Sequence, residues 1–395
     1  MERKFILYGF VGIFLLAFVG EKQKEKIRPV TLFLCGDVML GRGIDQALPY
    51  PSDPVLYETY VKNAKGYLNL AEKRNGIIPH PVSFSYVWGD ALEELERVMP
   101  DVRLINLETS ITTSEEYWKR KGINYRMNPK NIDCLVEAKI DYCSLANNHV
   151  MDWGFTGLDE TMQSLKKAKI RFGGAGSDRK AAEDPVVLET PGKGRIIVYS
   201  CCYGSSGVPF DWGARDDQHG VNLLNNLSER TVLHIKEKIE KVKQEGDIVV
   251  VSIHWGGNWG YQIPAAHGGF AYKLIDEAGV DVIHGHSSHH VLGIEVYRNK
   301  PIIYGCGDFL NDYEGISGNE KYRDDLGLMY FLSMDPVNGK LLSLQMVPTQ
   351  IKRFKVNRAS YADAKWLQKV LNREGKALGT SVRLDKENRM WLEWD

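Results

Sequence analysis

The chain has 395 residues, 43% of them hydrophobic and 26% charged, with a net charge of −1. This is long and apolar enough for one large α/β core with additions, and the lack of a basic excess argues against a nucleic-acid partner. The six cysteines show no CxxC spacing and read as buried free thiols, Cys35, Cys201 and Cys202 lying in apolar runs.

In chain order, Arg3 and Lys4 precede an apolar run at 5–19, the length of a signal-peptide core and short for a membrane span. Residues 1–20 are expected to be a signal peptide or a retained membrane anchor, and 21–30 a charged linker. The folded part is therefore expected outside the cytoplasm, anchored or secreted. A strand at 31–34 then delivers Asp37 into a glycine-flanked turn ending at Arg42. Residues 50–90 read as a proline-punctuated insertion with a helix at 56–73, either a wall over the site or a surface excursion. A helix at 91–98 and a strand at 102–107 follow, the strand ending in Asn106 and Glu108. The loop KGINYRM holds Lys121, Asn124 and Arg126. A helix at 131–138 leads to a strand at 142–145 that delivers Asn147, Asn148 and His149.

Further along, the pattern predicts helices at 156–168, 228–244 and 270–278, and strands at 171–173, 186–188, 195–202, 248–254, 280–284, 293–297 and 301–305. Strand alternating with helix reads as α/β. The 248–254 strand ends in His254 followed by glycines, and the 280–284 strand runs into His284, His286, His289 and His290. Near the end, a hairpin of 326–334 and 341–351 turns at Asn338-Gly339, and a helix at 360–374 carries Ser360 as cap with Asp363 three residues on. Residues 31–350 are expected to form the main domain, with 351–395 a helical extension packed on it.

Each motif is a hydrophobic strand ending in an oxygen or nitrogen donor among small residues. In an open α/β sheet such strand ends are where ligand sites are built. Carboxylate, carboxamide and imidazole arriving together make a mixed N/O site for borderline to hard divalent ions, and imidazole suits zinc, manganese and iron. A polar loop whose histidines merely cap their strand is the plain alternative for the His284–His290 cluster. Trp88, Trp153, Trp255 and Trp259 lie near these loops, as apolar walls or as stacking faces.

The ordered motifs GDVMLGR, NLETSIT, LANNH, HWGGN and GHSSH through KPIIYGCGDF resemble those of the poly-γ-glutamate and capsule biosynthesis (CapA-like) family, itself similar to calcineurin-like metallophosphoesterases. The resemblance spans about residues 31–348. It implies a four-layer α/β/β/α sandwich with a centre of one or two divalent ions (Mn, Zn or Fe) at the strand ends. It matches Asp37 to the first metal carboxylate, Glu108 to the bridging one, Asn148 to the asparagine ligand and His254, His286 and His289 to the imidazole ligands, with His149 as the catalytic histidine.

Two departures stand out. Met39 occupies the position where metallophosphoesterases carry a further histidine, so one metal position is expected to be a ligand short and to bind more weakly. Glu108 replaces the usual aspartate. Basic loops in the family imply recognition of carboxylate or phosphate, which makes Arg126 the first substrate candidate, with Lys121, Asn124 and Arg42 beside it. For the arginines a structural salt bridge is an equal alternative.

Three functions are compatible with this reading. One is an assembly factor of capsule, poly-γ-glutamate or another envelope polymer, binding an anionic polymer or a membrane-bound synthase and attached to the membrane through its N-terminus. A second is an extracytoplasmic metal-dependent hydrolase acting on a phosphorylated or acyl substrate. A serine or cysteine nucleophile is the third, and it has no GxSxG elbow to support it.

Overall fold

The computed structural model describes Met1 and residues 28–119 and 121–395. The expected export segment at 1–20 and most of the linker lie outside the described residues. Among those described, no helix is long and apolar enough to cross a membrane.

Two mixed sheets carry the chain. The larger has ten strands, running Thr380–Leu384, Met390–Trp394, Leu341–Ile351, Leu326–Met334, Val30–Val38, Val102–Leu107, Tyr142–Ser144 and Arg171–Gly173 in order. Asp308–Leu310 adds to Val30–Val38, and Val356–Arg358 to Leu341–Ile351. The smaller has seven, running Leu223–Leu224, Gly194–Tyr203, Ile248–His254, Val282–His286, Lys300–Ile303 and Ile294–Tyr297, with Val186–Thr190 on Gly194–Tyr203. Val30–Val38 is parallel to Val102–Leu107 and to Asp308–Leu310, and Ile248–His254 is parallel to Val282–His286. Within each sheet these carboxyl ends therefore lie side by side.

The unbroken apolar character of these strands follows from burial on both faces. Within Val30–Val38, Phe33, Cys35 and Val38 pack with Trp88, Leu135 and Leu158. Leu32 and Leu34 of the same strand face the other way, onto Val198, Val250 and Val282 of the second sheet. On that sheet's remaining face, Ile197, Val249 and Ile283 pack with Ile235 and Leu274 of the helices Glu229–Glu240 and Ala265–Ala278. All six cysteines are buried and free, as expected.

Most elements fall where the pattern put them, with local differences. In the insertion the helix is Lys65–Asn75 only. The preceding residues are rich in β-branched and aromatic side chains, and Asn63 Oδ1 accepts from Lys65 N at 2.9 Å, starting the helix there. The helix expected at 131–138 is Asp133–Glu137, because the Asn131 amide is committed to Asp45 and Tyr50. Ala265–Ala278 begins five residues before its expected start, directly after Pro264, where glycines had masked the period.

The tail differs most. Ser360 caps Tyr361–Gly375 as expected, Asp363 N donating to its hydroxyl at 3.1 Å. The chain then forms two more strands, Thr380–Leu384 and Met390–Trp394, on the edge of the larger sheet. Met390 and Leu392 are buried while Trp391 and Glu393 are not, the period-2 alternation of a half-covered strand.

Candidate metal centre

Glycine lets the site form. Gly36 and Gly307 approach so closely that a Cβ on Gly36 would lie 1.7 Å from the Gly307 carbonyl oxygen. Asp37 N donates to that oxygen at 3.0 Å, which sets Asp37 in register beside Asp308. Asn106 stands opposite on the other neighbouring strand and donates to Asp37 Oδ1 at 2.7 Å. Glu108 N donates to Val38 O, fixing the start of its loop. Ser287, with φ of +102°, turns its N–H onto Asp37 Oδ2 at 3.3 Å. A left-handed serine is costly, and such strain is held where the surrounding structure demands it.

The imidazoles arrive from the second sheet. His254 and His286 are paired neighbours on adjacent strands, and their Nδ1 atoms are 2.8 Å apart. The hydrogen-bond network assigns their tautomers. His284 Nε2–H donates to the Cys35 carbonyl at 2.8 Å, so its Nδ1 accepts from Ser252 Oγ at 3.1 Å. Ser252 Oγ in turn accepts from His286 Nε2–H at 3.0 Å. This leaves a bare Nδ1 on His286, 4.0 Å from Asp37 Oδ1. His254 Nδ1–H then donates to that atom, which leaves His254 Nε2 bare as well. That nitrogen faces Asn148 Oδ1 at 3.1 Å and Glu108 Oε1 at 3.9 Å. Two lone pairs facing each other without a proton between them suit a cation.

His289 Nδ1–H meets Asp308 Oδ1 at 2.9 Å, and Asn311 holds the other oxygen of Asp308 at 2.6 Å. Two sets therefore offer ligand atoms within 4.8 Å of one another: Asp37 with His254 and His286, and Asp37 with His289 and Asp308. Asp37 is common to both.

The electrostatics match this crowding. Burial, then the charge of Asp308, pushes the Asp37 carboxyl up to about 7, against its hydrogen bonds to Glu108 and Asn106. Burial and the charges of Asp37 and Asp308 push Glu108 well above the carboxylate range. His254 and His286 are driven well below the usual imidazole value by burial and by their histidine neighbours. His289 moves the other way, because Asp308 outweighs the effect of burial.

His149 stands at the rim. Its Nδ1 meets Asp152 Oδ2 at 2.7 Å and Lys121 Nζ at 2.8 Å, its ring stacks on Tyr125 at 3.9 Å, and its Nε2 points inward, 4.0 Å from Glu108 Oε1. Burial lowers it to about 4, although Asp152 pulls the other way. The imidazole is thus neutral near pH 7, with a free lone pair facing the site.

The structure brings Asp37, Glu108, Asn148, His149, His254, His286 and His289 together, and Lys121 reaches the site through His149. The remaining substrate candidates are engaged elsewhere. Arg42 is buried against Asp312 and Glu58. Arg126 donates to the carbonyls of Ser114 and Asp53 and lies over Trp153. Asn124 Nδ2 donates to Asp152 O, while its buried Oδ1 has no partner among the described residues. Met39 is buried, its sulfur accepting from Gly41 N. Trp88, Trp153 and Trp255 are core, and Trp259 lies half-buried 5.3 Å from the His289 ring. The sequence reading did not single out Asp308, Asp152, Ser252 or Tyr125. For Asp308 a signal was present, since Gly307-Asp308 repeats Gly36-Asp37.

A cleft of about 490 Å³ opens beside the centre, lined by Asn311 and Tyr313, by Glu314, Glu320, Asp324 and Asp325, and by Arg74, Arg323 and Lys352. Tyr313 packs its edge on His289 at 5.3 Å.

Comparison with known proteins adds a family and relatives. The family model described as bacterial capsule synthesis protein PGA_cap matches residues 31–313. The chain is 46% identical over 360 residues to a probable polyglutamine synthesis accessory protein of Mycobacterium tuberculosis, covering 91% of this chain and 94% of that one. It is 24% identical to the capsule biosynthesis protein CapA of Bacillus anthracis, covering 88% and 75%. With the PGA biosynthesis protein CapA of Bacillus subtilis it shares 25% identity, over 82% and 74% of the two chains.

Proposed function

Because the chain belongs to the bacterial capsule synthesis protein family PGA_cap, we propose that it is an accessory protein in the synthesis of a capsule or poly-γ-glutamate-like envelope polymer, working through a divalent-metal centre. The observation that carries the metal reading is the convergence of Asp37, Glu108, His254, His286 and His289 from separate strand ends into one buried cluster. Without a cation this leaves carboxylates crowded and unpaired, which is costly. The donor set fits Mn, Zn or Fe. We infer the four-layer α/β/β/α sandwich for its architecture, on the support of three apolar cores that flank and separate the two sheets.

In this reading Asp37, Glu108, Asn148, His254, His286 and His289 hold one or two ions. Bound there, an ion would polarise a phosphoryl or acyl oxygen and make a nearby water more acidic. The chain's own residues do the rest. The His284–Ser252 relay keeps His286 Nδ1 unprotonated; it accepts from His254 Nδ1–H here and would turn to an ion only by giving up that contact. Asp152 and Tyr125 fix the His149 ring so that Nε2 can take a proton from a group placed near Glu108. Arg74 and Lys352, exposed and without ion pairs among the described residues, are the cations this cleft would offer an anionic polymer or phosphorylated substrate, beside the carboxylates of Glu314, Glu320, Asp324 and Asp325 that also line it. A membrane-bound synthase is the partner this role implies.

The geometry of His149 favours a second reading, an active phosphoesterase or other hydrolase. Elemental analysis and assays on a generic phosphodiester and on polyglutamate separate the two. The accessory reading expects at least one transition metal per chain and polyglutamate binding without turnover; hydrolysis that His149→Ala abolishes favours the enzyme. A chain that takes up no ion from supplied manganese or zinc removes the metal centre from both.

Export rests on the sequence of residues 1–28. A fusion of these residues to a reporter should place it outside the cytoplasmic membrane. A reporter that stays soluble in the cytoplasm overturns that placement.

A further inference from the structure

We propose that Asp308 is itself a metal ligand and completes the position that Met39 leaves short of an imidazole. The inference rests on the metal-centre reading above and extends it to a residue outside the set matched by resemblance.

Three observations carry it. First, Asp308 is delivered by backbone register. The strand Asp308–Leu310 lies parallel to Val30–Val38 with Asp37 and Asp308 as partners, so the two side chains share one face of the sheet. The Gly36–Gly307 contact permits this approach, and any Cβ at Gly36 would prevent it. Second, Asp308 is 2% exposed, and one of its oxygens lies within 4.8 Å of ligand atoms of both Asp37 and His289. Third, the charges do not balance without it. Asp37, Glu108 and Asp308 are buried together, and among the described residues no lysine or arginine forms an ion pair with any of them. With Asp308 the three carboxylates offset most of the charge of two divalent ions, whereas Asp37 and Glu108 alone would offset half of it.

Met39 offers no substitute, because its thioether accepts from Gly41 N and is a poor ligand for the ions this oxygen-rich site suits. With Asp308 included, the second position has Asp37, His289 and Asp308, and the expected weakness relative to the first is reduced.

The competing role is orientation. Asp308 Oδ1 accepts from His289 Nδ1–H, an arrangement in which carboxylates commonly steer a ligating imidazole. Asparagine separates the two roles, since it keeps an oxygen for His289 but loses the charge. Metal-free full-length protein, Asp308→Asn and Asp308→Ala would be titrated with Mn²⁺ and with Zn²⁺ by calorimetry, and bound metal counted by elemental analysis. Thermal melts of the metal-free forms verify folding, which loss of a crowded carboxylate should not impair. As a ligand, Asp308 predicts that both variants lose affinity for one ion by at least about 10-fold. As an orienting group only, it predicts that Asp308→Asn matches the parent while Asp308→Ala is weakened, and this result overturns the proposal. A parent that binds neither ion overturns the metal reading beneath it, a result distinct from unchanged binding by Asp308→Asn.

Discussion

Asp312→Ala is expected to destabilise the protein by about 3–5 kcal/mol, the range for removing one partner of a buried ion pair. Arg42 is 3% exposed and donates Nε to Asp312 Oδ2 at 2.9 Å, with Nη2 on the other oxygen and Nη1 on Glu58 at 2.9 Å. Gly43 N also donates to Asp312, at 2.8 Å, and the guanidinium lies 3.6 Å over the Tyr67 ring. Deleting the carboxylate leaves the buried guanidinium with Glu58 as its one remaining anionic partner among the described residues and orphans a backbone N–H. The same group ties together the loop after Asp37, the insertion through Glu58 and Tyr67, and the loop after Asp308. The insertion is thus packed against the loops that follow Asp37 and Asp308. Urea denaturation measures the effect, with Lys180→Ala at an exposed helix pair as the control expected within about 0.5 kcal/mol. A loss below about 1 kcal/mol for Asp312→Ala would show that the pair contributes little.

The second large effect concerns the ions. Adding Mn²⁺ or Zn²⁺ to chelator-treated protein should raise its stability by about 2.7 kcal/mol at 100 times the dissociation constant and by about 4.1 at 1,000 times, since only the folded chain assembles the ligands. His254→Ala should abolish most of this gain, because its bare Nε2 faces Asn148 and Glu108. His149→Ala should leave the gain nearly intact, because Asp152 and Lys121 occupy its Nδ1 and its Nε2 stands at the rim. Melting curves with and without metal test all three proteins. Equal loss of the gain in the two variants would mean that His149 belongs to the ligand set.

The strands were legible because burial on both faces leaves no polar alternation to confuse: 248–254 and 102–107 match the observed Ile248–His254 and Val102–Leu107. The donors were legible because each ends such a run. Asp308 was missed although Gly307-Asp308 repeats Gly36-Asp37, for it sits in a three-residue strand whose place depends on a partner some 270 residues earlier. For Arg42 and Arg126 the sequence left substrate contact and structural pairing open, because their spacing carries no sign of Asp312, Glu58 or Trp153, which only tertiary packing supplies. The last two strands escaped because short edge strands with charged residues on alternate positions resemble loops.

The pairing of Val30–Val38 with Leu326–Met334 also has a kinetic side. The central strand of the larger sheet is among the first made, yet one of its neighbours comes nearly 300 residues later, and the sheet's outer edge later still. Such high contact order makes folding slow and late, because loop closure must precede the contacts that reward it. During synthesis the early strand would wait with an unpaired, strongly apolar edge, a state prone to aggregation unless it is shielded. A chain that cannot lock its core until most of it has emerged is one that remains threadable in the meantime.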